Sequence, residues 1–445
     1  MMKPSYFNFV FSHAGKNYVY NSISGVLAET DEMFDKIMDN ITNGDESLCV
    51  PDNETLKKMT ESRIIIDDNI DEIAEYETLF EKTKEESSKC TLTIAPSLLC
   101  NFSCPYCYET KNEIIMSDDH VNKLIKFIKR SLVGKKFCGI TWYGGEPLLC
   151  KDIIYKISDE VIAYCEENEI KYDGNIITNG YLLTDEILDN LIKYKVSSAQ
   201  ITLDGDREHH NKKRFLKNGQ GSYDRILQNI KKIDAKGIKL SIRINVDINN
   251  ADNLDSLFDD LVELKLQNSY VYFGLLSPAT EACASIANSC LTNENFSQKT
   301  LLWNYKLYKR GVFPSLLRIY PKRIISPCAA LSSYACVIDS RGNFYKCWND
   351  IGNESKAVGN LDSDESLPFK YTDNLRRYTE WSPYVYSECK KCKVLPLCGG
   401  YCAYMAFKDG QPVCSKWKYI LEDYLRQVVA SAIEQNLNNK KEVNL

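Results

Sequence analysis

Three cysteines in the run Cys100-Asn101-Phe102-Ser103-Cys104-Pro105-Tyr106-Cys107 constrain this chain more than any other feature. Their CxxxCxxC spacing supplies three thiolates from one short loop, one fewer than a cubane iron–sulfur cluster needs. The fourth iron of such a cluster is open to a small molecule. The preceding residues, Thr91 to Leu99, read as a buried strand. The cysteines therefore sit on the loop after a strand, where an α/β barrel carries its chemistry. A structural zinc site is the alternative. It usually uses CxxC pairs and would want a fourth protein ligand nearby.

The chain has 445 residues, 44% of them hydrophobic, which is enough for two or three domains with ample core. A net charge of −6 gives no reason to expect nucleic acid as a partner. The N-terminus lacks the apolar core of a signal peptide, and no run of 18 apolar residues occurs, so a cytoplasmic protein without a membrane partner is expected. Eighteen cysteines in a large intracellular chain point to metal binding rather than disulfides. The four histidines (His13, His120, His209, His210) are too scattered for a His-rich zinc or haem site.

Residues 1–88 read as a small α+β unit. It has a hairpin around His13-Ala14-Gly15-Lys16 and short helices near 31–38, 53–59 and 71–86. It holds no metal or catalytic motif, and a packing cap is the plain reading. Residues 89–280 alternate strands at 91–98, 137–143, 171–178, 197–204, 238–247 and 269–276 with helices between them. That pattern predicts a parallel sheet with ligands at the strand C-terminal ends. Residues 281–445 are irregular and Cys-rich, with a last helix near 415–435.

After the second strand comes Gly144-Gly145-Glu146-Pro147. The glycines permit close backbone approach, and Glu146 can accept from an ammonium. Alone, the segment reads as a turn with proline at a helix start. With the cysteine motif in register, it resembles the radical S-adenosylmethionine (SAM) superfamily. The resemblance implies an α/β fold, a partial (β/α)6 barrel. It also implies a cluster on Cys100, Cys104 and Cys107 whose open iron takes SAM. The implied SAM contacts are Tyr106, the Gly144, Gly145, Glu146 and Pro147 segment at the amino group, Asn179, Thr202 and Asp204 nearer the ribose and carboxylate, and Arg214 on the methionine carboxylate. Arg243 is a further candidate. Helix-cap or surface roles are the alternatives for Asn179, Thr202, Asp204 and the two arginines.

The last third carries Cys328, then Gly342-Asn343-Phe344-Tyr345-Lys346-Cys347, then Cys389, Cys392, Cys398 and Cys402 spaced CX2CX5CX3C, then Cys414. The set resembles the seven cysteines of the SPASM extension, a C-terminal Cys-rich domain that holds auxiliary clusters; zinc ribbons are the alternative. The resemblance implies an outer cluster on Cys389, Cys392, Cys398 and Cys414 and an inner one on Cys328, Cys347 and Cys402, three 4Fe–4S clusters in all. Some members carry an extra cysteine six residues before the first of the seven; here that position is Lys322. If Ser340–Asn343 forms a hairpin turn, Cys336 lies across from Cys347 and can close the inner cluster. Otherwise that site is open to a substrate group.

SPASM proteins mostly modify peptides or proteins, with an electron donor such as flavodoxin or ferredoxin. The expected function is maturation of a ribosomal precursor peptide through a thioether or carbon–carbon crosslink. Formylglycine formation by an anaerobic sulfatase maturase is the alternative. Those enzymes begin almost directly with the barrel and place a catalytic Asp after the Gly-x4-Cys cysteine, where this chain has Trp348, with Asp350 out of register. Residues 1–88 loosely resemble leader-peptide recognition elements, which bind an extended leader as an added strand. A non-catalytic iron–sulfur or zinc scaffold would have no use for a SAM pocket.

Overall fold

Hydrophobic alternation in the first thirty residues builds a small antiparallel sheet. The computed structural model describes residues 2–44, 54–109, 113–326, 328–363 and 372–442. Strand β1 is Met2–Pro4, and β2 (Asn8–His13) pairs with β3 (Lys16–Asn21), followed by β4 (Leu27–Glu29). The two-residue turn has positive φ at Ala14 (50°) and Gly15 (76°), the geometry that suits the twist of a tight hairpin. Strand β5 (Ile65–Asp67) pairs antiparallel with β1. Helices Glu32–Thr42 and Glu54–Glu61 cover a core of Val19, Phe34, Ile37, Ile41, Met59, Ile64 and Ile65.

The chain divides into two compact units, and these cut across the three consecutive segments expected from the sequence. One comprises Met1–Thr83, Asn293–Pro327 and Ser382–Leu445; the other comprises Lys84–Thr292 and Cys328–Trp381. In the first unit the N-terminal segment is tied to the cysteine-rich tail. Tyr6 Oη donates to the Lys391 carbonyl (2.7 Å) and Ser22 Oγ to the Lys393 carbonyl (2.7 Å), while Lys393 Nζ donates to the Asn8 carbonyl (3.1 Å). All three ties grip the stretch between Cys389 and Cys398. Tyr20 packs edge-on against Tyr320, and Tyr76 and Phe80 against Tyr384.

In the second unit, β6 (Lys89–Ile94), β7 (Phe137–Trp142), β8 (Lys171–Thr178), β9 (Val196–Leu203), β10 (Lys239–Val246) and β11 (Ser269–Leu275) lie parallel in sequence order. The sheet curves without closing. Along β9, fully buried Ala199, Ile201 and Leu203 alternate with half-buried Ser198, Gln200 and Thr202. One face is thus apolar under helices such as Asp118–Ser131, and the other is polar. The sequence reading did not place the next three strands in this sheet. Strand β12 (Ala335–Ile338) pairs parallel with β6, and β13 (Asn343–Tyr345) and β14 (Gly359–Asn360) continue antiparallel.

The β12–β13 register corrects the expectation for Cys336. Val337 faces Tyr345 and Ile338 faces Phe344, so Cys336 stands opposite Lys346 rather than Cys347. The cause is a three-residue loop, Ser340–Gly342, closed by Asp339 N–H to the Asn343 carbonyl with Gly342 at φ 76°. A one-residue slip moves a side chain to the opposite face. Cys336 is buried, with its thiol pushed up by that burial. Among the described residues no helix is long and apolar enough to cross a membrane.

Candidate active site

The cysteine loop hangs from the end of β6 and is held from two sides. Gly144, at φ 113°, and Gly145 press against the carbonyls of Ser97, Leu98 and Leu99; a Cβ on Gly144 would meet Ser97 O at 2.1 Å and one on Gly145 would meet Leu99 O at 2.3 Å. Glu146 N–H donates to Leu99 O (2.8 Å). On the other side, Ser103 N–H donates to Phe215 O and Lys217 N–H to Asn101 O, so the chain just after Arg214 clamps the loop.

Glu146 is fully buried, and its carboxylate accepts from Leu148 N–H (3.1 Å), Thr178 Oγ1 (2.8 Å) and Asn179 N–H (2.8 Å). Burial pushes its carboxyl up, and those three donors oppose the shift. The side chain thereby caps the turn at Pro147 and binds that turn to the end of β8. Asn179 completes the brace. Its Nδ2 donates to Asn101 Oδ1 (2.7 Å) and its Oδ1 accepts from Tyr181 N–H (2.9 Å).

Tyr106, Asp204 and Arg214 come together beside the cysteines. Arg214 Nη1 donates to Tyr106 Oη (3.1 Å) and stands 4.0 Å from Asp204 Oδ1. Asp204 is fully buried and Arg214 is 9% exposed, yet Asp204 Oδ2 and Arg214 Nε have no hydrogen-bond partner. Orphaned buried polar atoms of this kind are costly unless something else satisfies them. Burial pushes the Asp204 carboxyl up, with Arg214 opposing. Burial also pushes the Cys100 thiol up to about 11; the Phe102 N–H and Arg214 work against this, and Glu146 and Cys107 add to it. Three thiols on one loop, with one unpartnered nitrogen on a buried guanidinium and one unpartnered oxygen on a buried carboxyl, fit a cluster and a zwitterionic ligand with hydrogen-bonding groups. Thr202 lies on the inner face, in register with Arg243. Arg243 Nε donates to Asn245 Oδ1 (2.8 Å), and Asn245 Nδ2 approaches Asp204 Oδ1 (3.5 Å). Asn245 and Asn101 were not anticipated; for Asn245 a polar residue at the end of a parallel strand was the available signal, and Asn101 lies inside the cysteine loop itself.

The other cysteines divide between the units. Cys328 and Cys347 belong to the second, and Cys389, Cys392, Cys398, Cys402 and Cys414 to the first. Burial, then the neighbouring Cys398, Cys392 and Cys414 thiols, push the Cys389 thiol up to about 12. Cys402 is not among those neighbours. Among the described residues no three His, Cys, Asp or Glu side chains converge closely enough to hold one metal ion. In a cubane each thiolate meets its own iron, which asks for wider spacing. Beside Cys347, the Trp348 ring packs on Tyr143 (5.1 Å), and buried Asp350 accepts from Tyr378 Oη (2.6 Å).

Residues 94–261 match the family model of the radical SAM superfamily. This stretch is a radical SAM domain. The chain is 24% identical over 351 residues to a serine-type anaerobic sulfatase-maturating enzyme of Bacteroides thetaiotaomicron, a match covering 71% of this chain and 83% of that one. It is 21% identical over 444 residues to the radical SAM cyclopropyl synthase TigE of Paramaledivibacter caminithermalis, covering 90% and 89%. In fold it is similar to Streptococcus suis SuiB bound to the precursor peptide SuiA, with TM-score 0.53 and 17% identity over 94% of this chain and 99% of that one. The chain thus carries a radical SAM domain on an open, mostly parallel α/β sheet and is similar in fold to SuiB.

Proposed function

We propose that this radical SAM enzyme matures a ribosomally made precursor peptide by forming a thioether or carbon–carbon crosslink. The observation that carries this reading is the surroundings of Cys347. Trp348 occupies the position where the resemblance to sulfatase maturases calls for a catalytic Asp, and Asp350 is buried against Tyr378. The likeness to TigE and SuiB also spans nine-tenths of this chain, whereas the likeness to the sulfatase-maturating enzyme leaves more than a quarter unmatched.

In this reading Cys100, Cys104 and Cys107 hold the cluster. Arg214 and Asp204 take the carboxylate and a hydroxyl or amino donor of SAM. Glu146 and Asn179 keep the cysteine loop rigid. When bound and reduced, the cluster together with SAM would supply a 5′-deoxyadenosyl radical able to remove a hydrogen atom from the substrate. Gln200, Arg243 and Tyr272 offer polar contacts on the inner face; Tyr272 Oη donates to Gln200 Oε1 (2.6 Å). Cys389, Cys392, Cys398 and Cys414 hold an outer auxiliary cluster, and Cys328, Cys347 and Cys402 an inner one. A small flavodoxin- or ferredoxin-type protein supplies the electron, and residues 1–88 take the leader.

The likeness to sulfatase-maturating enzymes favours a second reading, formylglycine formation. Mass spectrometry of a Cys-containing precursor peptide after anaerobic turnover separates the two. A crosslink removes two hydrogens and leaves no aldehyde. A product that reacts with hydrazides would overturn the crosslink reading.

A further inference from the structure

Two backbone groups beside Asp204 and Arg214 have lost their regular partners. Asp204 N–H lies just past the end of β9, and the Arg214 carbonyl lies just past helix Arg207–Lys213. Buried groups of this kind need a substitute partner. A single chain of side chains supplies both. His210 Nδ1 accepts from Asp204 N–H (3.3 Å), His210 Nε2 meets Ser222 Oγ (3.0 Å), and Ser222 Oγ donates to the Arg214 carbonyl (2.5 Å).

The directions are fixed by chemistry. Nδ1 receives a backbone N–H and therefore carries no proton. Nε2 then carries the ring proton and donates to Ser222, whose own proton goes to the carbonyl. His210 is fully buried, and Tyr223 packs edge-on against its ring at 5.3 Å. An imidazole suits the task because its acceptor and donor sit on a rigid ring. Arg214 N–H also donates to the His210 carbonyl (2.7 Å), so His210 holds one end of the arginine's backbone directly and the other through Ser222.

We propose that His210 is a positioning residue for SAM: through Ser222 it fixes the strand end that bears Asp204 and the turn that bears Arg214 in one mutual register. The two orphaned atoms, Asp204 Oδ2 and Arg214 Nε, then keep a set separation before ligand arrives. This rests on the reading of Asp204 and Arg214 as SAM contacts. Ser222 is the second member of the device, and its own N–H is held by Asn211 Oδ1 (2.9 Å).

The test uses full-length, anaerobically reconstituted protein with dithionite, titrated with SAM and read as 5′-deoxyadenosine. His210→Phe keeps the ring and removes both ties. It should raise KM for SAM about tenfold with little change in kcat. His210→Asn keeps an acceptor near the Nδ1 position and should recover part of that loss. The His210→Phe/Ser222→Ala double variant should match the worse single one, because both residues act as one chain. If His210→Phe does not fold, Ser222→Ala alone carries the test, with the same rise expected. Arg214→Lys reports on the underlying reading. A raised KM in Arg214→Lys with unchanged KM in the His210 and Ser222 variants overturns the proposal alone. Unchanged KM in all of them overturns the SAM contacts and the proposal together. A fall in kcat and iron content at constant KM would show a merely structural histidine and also overturn it.

Discussion

Removing residues 1–83 should cost the protein its outer cluster. Among the hydrogen bonds by which the N-terminal segment grips the stretch between Cys389 and Cys398, the three shortest run from Tyr6, from Ser22 and from Lys393 back to Asn8. At about 1 kcal/mol net each, these contribute about 3 kcal/mol. Three edge-on aromatic contacts, Tyr20–Tyr320, Tyr76–Tyr384 and Phe80–Tyr384, add about 1 kcal/mol each. The sum, about 6 kcal/mol, is comparable with the whole stability of a small domain. The assay is iron per chain after anaerobic reconstitution, full-length against residues 84–445. The truncated protein should lose about four of roughly twelve irons, and its melting transition should broaden or fall. A milder variant, Tyr6→Phe with Ser22→Ala, should lose about 2 kcal/mol while keeping its iron. A truncated chain with full iron content and an unchanged melt would refute the reasoning and restore an independent N-terminal unit.

Three further outcomes follow from single residues. Cys336→Ala should retain full iron and activity, because its thiol lies opposite Lys346 rather than Cys347; loss of about one cluster's iron would contradict the register argument. Glu146→Gln should lower stability by about 1–3 kcal/mol, since a buried acceptor shared by three donors is replaced by an amide with one acceptor oxygen; an unshifted denaturation midpoint would contradict the brace. His210 is held well below the usual imidazole value of 6.5, by burial first and by Arg214 second. Below pH 6.5 the unfolded chain takes a proton that the folded ring refuses, so stability should fall as pH falls through that region and be flat above it. Each pH unit costs about 1.4 kcal/mol while the folded ring stays neutral; the same slope in His210→Asn would assign the dependence elsewhere.

The six barrel strands were legible because each is a short β-branched or aromatic run bounded by turn residues, and a parallel sheet buried on one face tolerates little else. That the cysteine loop and Gly144–Pro147 lie against each other was legible because both follow neighbouring strands of one parallel sheet. Strands β12 to β14 were not, because their partner β6 lies more than 200 residues earlier and nothing local announces the pairing. The Cys336 expectation failed on one residue of loop length. The bracing role of Glu146 was not legible because a sequence shows that a carboxylate is present but not that three donors surround it. His210 escaped notice because its partners are two backbone groups and a serine, none of which leaves a motif.

The most direct test of the central claim is product analysis of the anaerobically reconstituted full-length enzyme with dithionite and SAM, beside Cys104→Ala. The account predicts 5′-deoxyadenosine and methionine from the wild type. It predicts none from the variant, which keeps its auxiliary iron because those ligands lie elsewhere in the chain. Equal 5′-deoxyadenosine from both, or none from a wild type with its full iron, would contradict it.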